Sequence, residues 1–271
     1  MNSKITKFLS LAALICIVSG AMALNPSKTY KDMPDKYGMK YKEAKIPTKD
    51  GASLNSWYFE NPKKVPNYII ISASGDGNMA DNLEIISQFL SAGYNVLAYD
   101  YRGYGKSSDF NIDKDVFIYP QFNNDLNAAI DYLRKTYAVT RLDLYGIAIG
   151  GGLSLGVGAN RTEIRKIIAD GPWISLEKTK AKIKDKTGKD VIVPFGFDKN
   201  YEPMYGLASA KPHIKSILII VASADEIISP MDVKGIAGSE TYIPKGSMSN
   251  KDNFSTDKNA YFTKISGFLK N

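Results

Sequence analysis

Short apolar runs alternate with amphipathic stretches along most of the chain. Tyr68 to Ala73, Asn95 to Tyr99, Leu142 to Tyr145, Ile167 to Ala169 and Ile217 to Val221 are brief, β-branched or aromatic, and bounded by Gly, Asp or Ser. That is the composition of strands buried on both faces. Between them, Ala80 to Ala92, Gln121 to Tyr137, Gly150 to Asn160 and Tyr261 to Lys270 carry apolar residues at three- and four-residue spacing, which predicts helices with one buried face. Lys45 to Pro47 and Leu54 to Phe59 read as an opening hairpin around Lys49-Asp50-Gly51. The β-α-β-α order implies a mostly parallel central sheet with helices on both faces and right-handed crossovers.

The N-terminus departs from this pattern. Lys4 and Lys7 precede an apolar run from Phe8 to Val18 and then Ala21-Met22-Ala23, the three regions of a secretory signal peptide. Residues 1–23 are therefore expected to be removed after Ala23, giving a secreted or periplasmic protein. An uncleaved anchor is the alternative, although the run is shorter than the ~20 residues needed to span a bilayer. No later segment is long and apolar enough to span. A short extension, residues 24–40, is expected to lead into a single domain over residues 41–271, a length that one sizeable core can serve.

Cys16 is the sole cysteine and lies in the leader, so no disulfide framework is expected. Ile15 before it lacks the small side chain that a lipoprotein signal normally requires. The formal net charge of +7 includes Lys4 and Lys7. What remains favours anionic surfaces only weakly and gives no reason to expect nucleic acid. A single histidine and the absence of zinc-ligand spacing or a phosphate-cradling loop lead to the expectation of no metal and no cofactor. Lys178, Lys180, Lys182, Lys184 and Lys186 occupy every second position of a segment read as a surface excursion. With its neighbours up to residue 189, this segment is a candidate surface for an envelope partner.

The chemistry concentrates at three places. Leu142 to Gly152 runs Leu-Asp-Leu-Tyr-Gly-Ile-Ala-Ile-Gly-Gly-Gly. It has the spacing of a G-x-S-x-G strand-to-helix turn, with Gly146 and Gly150 in place and Ala148 where the serine would stand. Asp100-Tyr101-Arg102-Gly103-Tyr104-Gly105-Lys106-Ser107 directly follows a buried strand, and Ala222-Ser223-Ala224-Asp225-Glu226 follows another. In order and spacing these motifs resemble the α/β-hydrolase superfamily, especially its serine-hydrolase branch, over about residues 40 to 270. The resemblance implies a crevice at the carboxyl ends of the strands.

Carried over residue by residue, the resemblance places the nucleophile at Ala148 and the acid at Asp225. The base falls in Gly246-Ser247-Met248-Ser249-Asn250, where Ser249 or a neighbour replaces the histidine. The oxyanion loop corresponds to Ser74-Gly75-Asp76-Gly77-Asn78, so Ser74, Gly75, Asp76 and Ile149 are candidate pocket residues. Backbone N–H donors there need no particular side chain. The triad is thus degenerate. Asp225 has a plainer reading as a turn or cap residue, and the elbow glycines serve packing whether or not catalysis occurs.

Two residues imitate catalytic ones. Gly152-Leu153-Ser154-Leu155-Gly156 matches G-x-S-x-G literally, but Ser154 is expected inside the helix that follows the turn, as a packing residue. His213 precedes the strand that Asp225 follows. It is expected on the surface at the opposite edge of the sheet, roughly 20 Å away. Asp170, Asp225 or Asp76 could act as a lone acid or base, yet no spacing demands it.

The expected function is binding without acyl-transfer catalysis, the ligand being a small molecule, acyl or lipid-like. The competing readings are an active serine hydrolase using Ser74 or Ser154, and a cell-envelope interaction protein engaging a partner through its lysines or the tyrosine-rich segment Tyr30 to Tyr58.

Overall fold

A computed structural model of the chain describes residues 24–209 and 213–271. The signal-peptide assignment, with Cys16 and the cut after Ala23, lies outside the described residues.

In chain order the strands are β1 (Asn25–Pro26), β2 (Lys42–Pro47), β3 (Ser53–Phe59), β4 (Tyr68–Ser72), β5 (Asp76–Gly77), β6 (Asn95–Tyr99), β7 (Leu142–Ile147), β8 (Ile164–Asp170), β9 (Ser216–Ile220) and β10 (Ser239–Tyr242). The helices are α1 (Leu83–Ser91), α2 (Gln121–Tyr137), α3 (Ile149–Ala159), α4 (Leu176–Thr187), α5 (Pro203–Ser209), α6 (Asn253–Thr256) and α7 (Lys258–Lys270). Eight strands form one sheet in the order β10-β9-β8-β7-β4-β6-β3-β2. It is parallel from β10 to β6, and the opening hairpin adds β3 and β2 antiparallel at one edge.

The expected parallel sheet with helices on both faces is what the chain forms. Strand alternation sends Ile69, Ile71, Val96, Ala98, Ile168 and Leu218 to one face, where they pack with Ile86 and Phe89 of α1 and with Phe262 and Ile265 of α7. Ile70, Leu97, Leu144 and Ile167 go to the other, against Phe122 and Leu126 of α2, Leu153 of α3 and Ile183 of α4. The predicted Ala80 to Ala92 helix begins as a 3-10 turn, Met79–Asn82, capped by Asn78 and Asp81 reciprocally.

The lysine-rich segment is a correction to the expected excursion. It is α4, capped by Ser175 and ended by Gly188 in the left-handed conformation, with Leu176, Thr179 and Ile183 buried along one face. Helical periodicity scatters its lysines. Lys180 and Lys184 pair with Asp190, and Lys182 with Asp232.

The extension before β2 is a strap held to the body of the domain. β1 runs parallel to β5, and Leu24 is fully buried. The Tyr30 hydroxyl donates to Asp100 and accepts from the Asn55 side chain and the Lys106 N–H. A hydrogen bond to a charged partner is worth roughly 1.5–3 kcal/mol. Tyr30→Phe is therefore expected to lower stability by about 2 kcal/mol, measured as a shift in urea midpoint with unchanged slope.

Candidate functional site

The site grows from the end of β7. A parallel strand that turns at once into a helix must reverse direction within a residue or two, and Ala148 takes that bend at φ 47°, ψ −108°. This is a conformation that non-glycine residues rarely adopt, and one that costs on the order of 1–3 kcal/mol. The Ala148 N–H donates to the Asp170 carbonyl at 2.7 Å, tying the bend to the end of β8. The flanking glycines are required by contact. A Cβ on Gly146 would lie 2.1 Å from the Gly150 carbonyl oxygen, and one on Gly150 would lie 2.2 Å from the Ser72 carbonyl oxygen. Beyond the bend, the first N–H groups of α3, starting with Ile149, have no intrahelical acceptor and lie at the positive end of the helix.

A cavity of about 250 Å³ opens beside Ala148. Its walls are largely apolar, formed by Ile85, Ile147, Ile227, Ile228 and Phe254, while Ser74, Asp170, Asp225 and Asn250 supply polar groups. Ser74 and Asp76 are both at the rim. Ser74 is half-buried, and its hydroxyl accepts the Asp76 N–H at 3.3 Å. Asp76 is exposed and accepts from the Asn25 side chain at 2.8 Å. Gly75 is buried, its carbonyl taking the Asn25 N–H and the Tyr104 hydroxyl, each at 2.9 Å.

Asp225 is brought to this cavity together with Ser249. One carboxylate oxygen of Asp225 accepts the N–H groups of Ile227 and Ile228 at 3.0 and 2.9 Å. The other accepts the Asn250 N–H at 2.9 Å and the Ser249 hydroxyl at 3.4 Å. The carboxylate thus organises its own loop, and the neighbour at the expected base position is a hydroxyl. The Asn250 side chain locks the same corner by donating to the Ile228 carbonyl and accepting the Ala222 N–H.

Ser154 and His213 lie away from the cavity. Ser154 is fully buried in α3, with its hydroxyl against Gly146. His213 bonds through Nε2 to the Gly158 carbonyl at 3.1 Å. Gly158 is nine residues along α3 from Ile149, roughly 13 Å at 1.5 Å per residue. The expected surface position needs correction, because His213 is half-buried. The carbonyls at the end of α3 attract the ring into contact.

Asp170 stands out among the carboxylates for its surroundings. It is 3 % exposed. Asn253 Nδ2 donates to Oδ1 at 2.6 Å and the Tyr261 hydroxyl to Oδ2 at 2.7 Å. Tyr261 is itself 2.8 Å from the Tyr145 hydroxyl. Burial pushes the Asp170 carboxyl up to about 7, against the smaller opposing effect of these two neutral donors. Its partners lie more than eighty residues downstream, and no local spacing in the sequence announces them. The described residues hold no group of three or more His, Cys, Asp or Glu arranged for a metal ion. None of the described helices is long and apolar enough to cross a membrane.

The family model for serine aminopeptidases of the S33 type matches residues 66–192. The chain is 28% identical over 209 residues to the protein bem46 of Schizosaccharomyces pombe, covering 73% of this chain and 64% of that one. It is 29% identical over 188 residues to the YfhR protein of Escherichia coli, covering 66% and 61%. In both cases the match spans less than two thirds of the relative. Among solved structures it is similar to an esterase of Pyrococcus furiosus, with a TM-score of 0.71 and 21% identity over 93% of this chain and 98% of that one.

Proposed function

Since this chain belongs to the α/β-hydrolase superfamily, we propose that it is a secreted member which has lost acyl transfer and binds a small ligand in the crevice beside Ala148. The observation that carries this reading is the methyl group on the elbow. Covalent serine catalysis needs an oxygen there, activated by a base. Ala148 has no oxygen and Ser249 offers no imidazole. Loss of the serine or histidine of a triad costs a factor on the order of 10⁶, about 8 kcal/mol of barrier. Donors on α3 and the Ser74 loop, together with binding, leave only a residue of that rate.

The volume and apolar walls of the cavity suit a small acyl or aromatic body with one polar end. The rival serines are poorly placed. Ser154 is fully buried, and Ser74 is engaged in its own turn with Asp76. The lysines of α4 are largely engaged in pairs within the molecule, which weakens the reading as an envelope-binding protein. Secretion rests on the leader sequence alone.

A fluorophosphonate probe applied to residues 24–271 is expected to label no serine, and p-nitrophenyl acetate to be hydrolysed at the rate of buffer. Ala148→Ser with Ser249→His puts a hydroxyl on the strained bend and an imidazole next to Asp225. The double variant is expected to gain about 100-fold in esterase rate, or about 2.7 kcal/mol, with labelling at position 148. Stoichiometric labelling of one serine in the unaltered protein would overturn the reading.

A further inference from the structure

We infer that Asp170 is the proton-transfer group of this cavity, and that the ligand is a small carbonyl compound with a C–H next to the carbonyl, which the site enolises. The inference rests on the reading that the elbow does not acylate.

Four carboxylates line the crevice; Asp81 is taken up in capping its own 3-10 turn, and the surroundings of the other three separate them. Asp76 is exposed at the rim. Asp225 accepts three backbone N–H groups and one hydroxyl, which commit it to its own loop. Asp170 accepts one donor on each oxygen, both donors are neutral, and the residue lines the cavity. Each of its oxygens retains a lone pair. Its carboxyl is poised near neutrality, where a general base works best.

The fold brings this base next to the oxyanion donors. Asp170 is the cross-strand partner of Ile147, and neighbouring strands are about 4.8 Å apart. The carboxyl-bearing backbone is therefore one strand spacing from the bend that presents the Ile149 N–H. Ala148, at that bend, and Asp170 line the same cavity.

In the step, the Asp170 carboxylate takes the proton, breaking the C–H bond and forming O–H. The released pair forms a carbon–carbon double bond, and the carbonyl π pair moves to oxygen as an enolate facing the α3 donors. The proton on Asp170 then exchanges with solvent, and delivery of the solvent-derived proton from Asp170 back to carbon completes the exchange, with water as the only co-reactant. Tyr261 of α7, Asn253 of α6 and, through Tyr261, Tyr145 of β7 position the carboxyl. Asp81, Asp225 and Lys251 are the other charged groups on the cavity walls, with Asp76 at the rim.

The test follows deuterium entering the methyl group of acetophenone by NMR, with residues 24–271 in heavy water. Exchange at least 10-fold above buffer is expected, with a rate that rises with pH and levels off above about 7. Asp170→Asn should return it to the buffer rate, and Glu240→Gln, on the exposed edge strand β10 and outside the cavity, should keep it. Tyr261→Phe removes a donor that favours the charged carboxyl and should move the profile to higher pH, an effect that a purely structural role would not produce. Exchange at the buffer rate in the unaltered protein overturns the proposal, as does full exchange in Asp170→Asn. Fluorophosphonate labelling, by contrast, would overturn the reading on which it rests.

Discussion

Alanine at Gly150 is expected to cost about 4 kcal/mol or more, against a total of roughly 5–15 kcal/mol for a typical domain. The added methyl would meet the Ser72 carbonyl oxygen at 2.2 Å and the Ala73 carbonyl oxygen at 2.6 Å. Both belong to the backbone at the end of β4, whose pairing with β7 through Ser72 and Gly146 sits in the middle of the sheet. A flexible side chain could turn away from such a contact. These carbonyls cannot move without displacing β4 or the start of α3, so the strain enters the core. Denaturant unfolding should show a large fall in midpoint, and failure to accumulate folded protein at 37 °C would be the limiting form of the same effect. A loss below 1 kcal/mol would mean that α3 can slide along the sheet, contrary to its close packing on the end of β4.

The second large effect is a gain. Asp170→Asn is expected to stabilise the protein at pH 8 by on the order of 4 kcal/mol and to leave it nearly unchanged at pH 4. The folded-state value of about 7 lies above the ordinary 3.8, so the folded chain holds this proton more tightly than the unfolded chain does. Below about pH 4 both states are protonated and burial carries no charge penalty. Between about 4 and 7 the unfolded chain releases its proton first, and stability falls with rising pH. Above about 7 both are ionised and the penalty is constant. Asparagine keeps a group that can bond to Asn253 and Tyr261 without carrying charge, so it escapes the loss. Urea melts of both proteins at pH 4, 6 and 8 check this, and parallel stability curves would show that the carboxyl is solvated.

Much of the fold was legible because its signals are local. Continuous β-branched runs marked β4, β6, β8 and β9, and the periodicity of Gln121–Tyr137 matched α2. The bend at Ala148 was visible because close backbone approach forces glycine at two fixed positions. β10 escaped notice. Ser239–Tyr242 is a short edge strand with half-exposed or exposed side chains, leaving no apolar run to read. The alternating lysines obscured α4, whose helical face consists of Leu176, Thr179 and Ile183 alone. Asp170 was visible as a residue, but its environment was not. Its burial depends on α6 and α7 folding back over the sheet, which brings Asn253 and Tyr261 from the far end of the chain.

The strap at β1 also decides how the protein can be handled. Leu24 packs close to Gly75 and Ile149, so any fusion joined ahead of it leaves the molecule at the crevice mouth. The other terminus emerges on the opposite rim, where Lys166 and Lys215, at the starts of β8 and β9, grip the last carbonyls of α7 and Asn271. An affinity handle or surface tether placed after Asn271 leaves the cavity open to incoming molecules, whereas the same handle at the front would obstruct it.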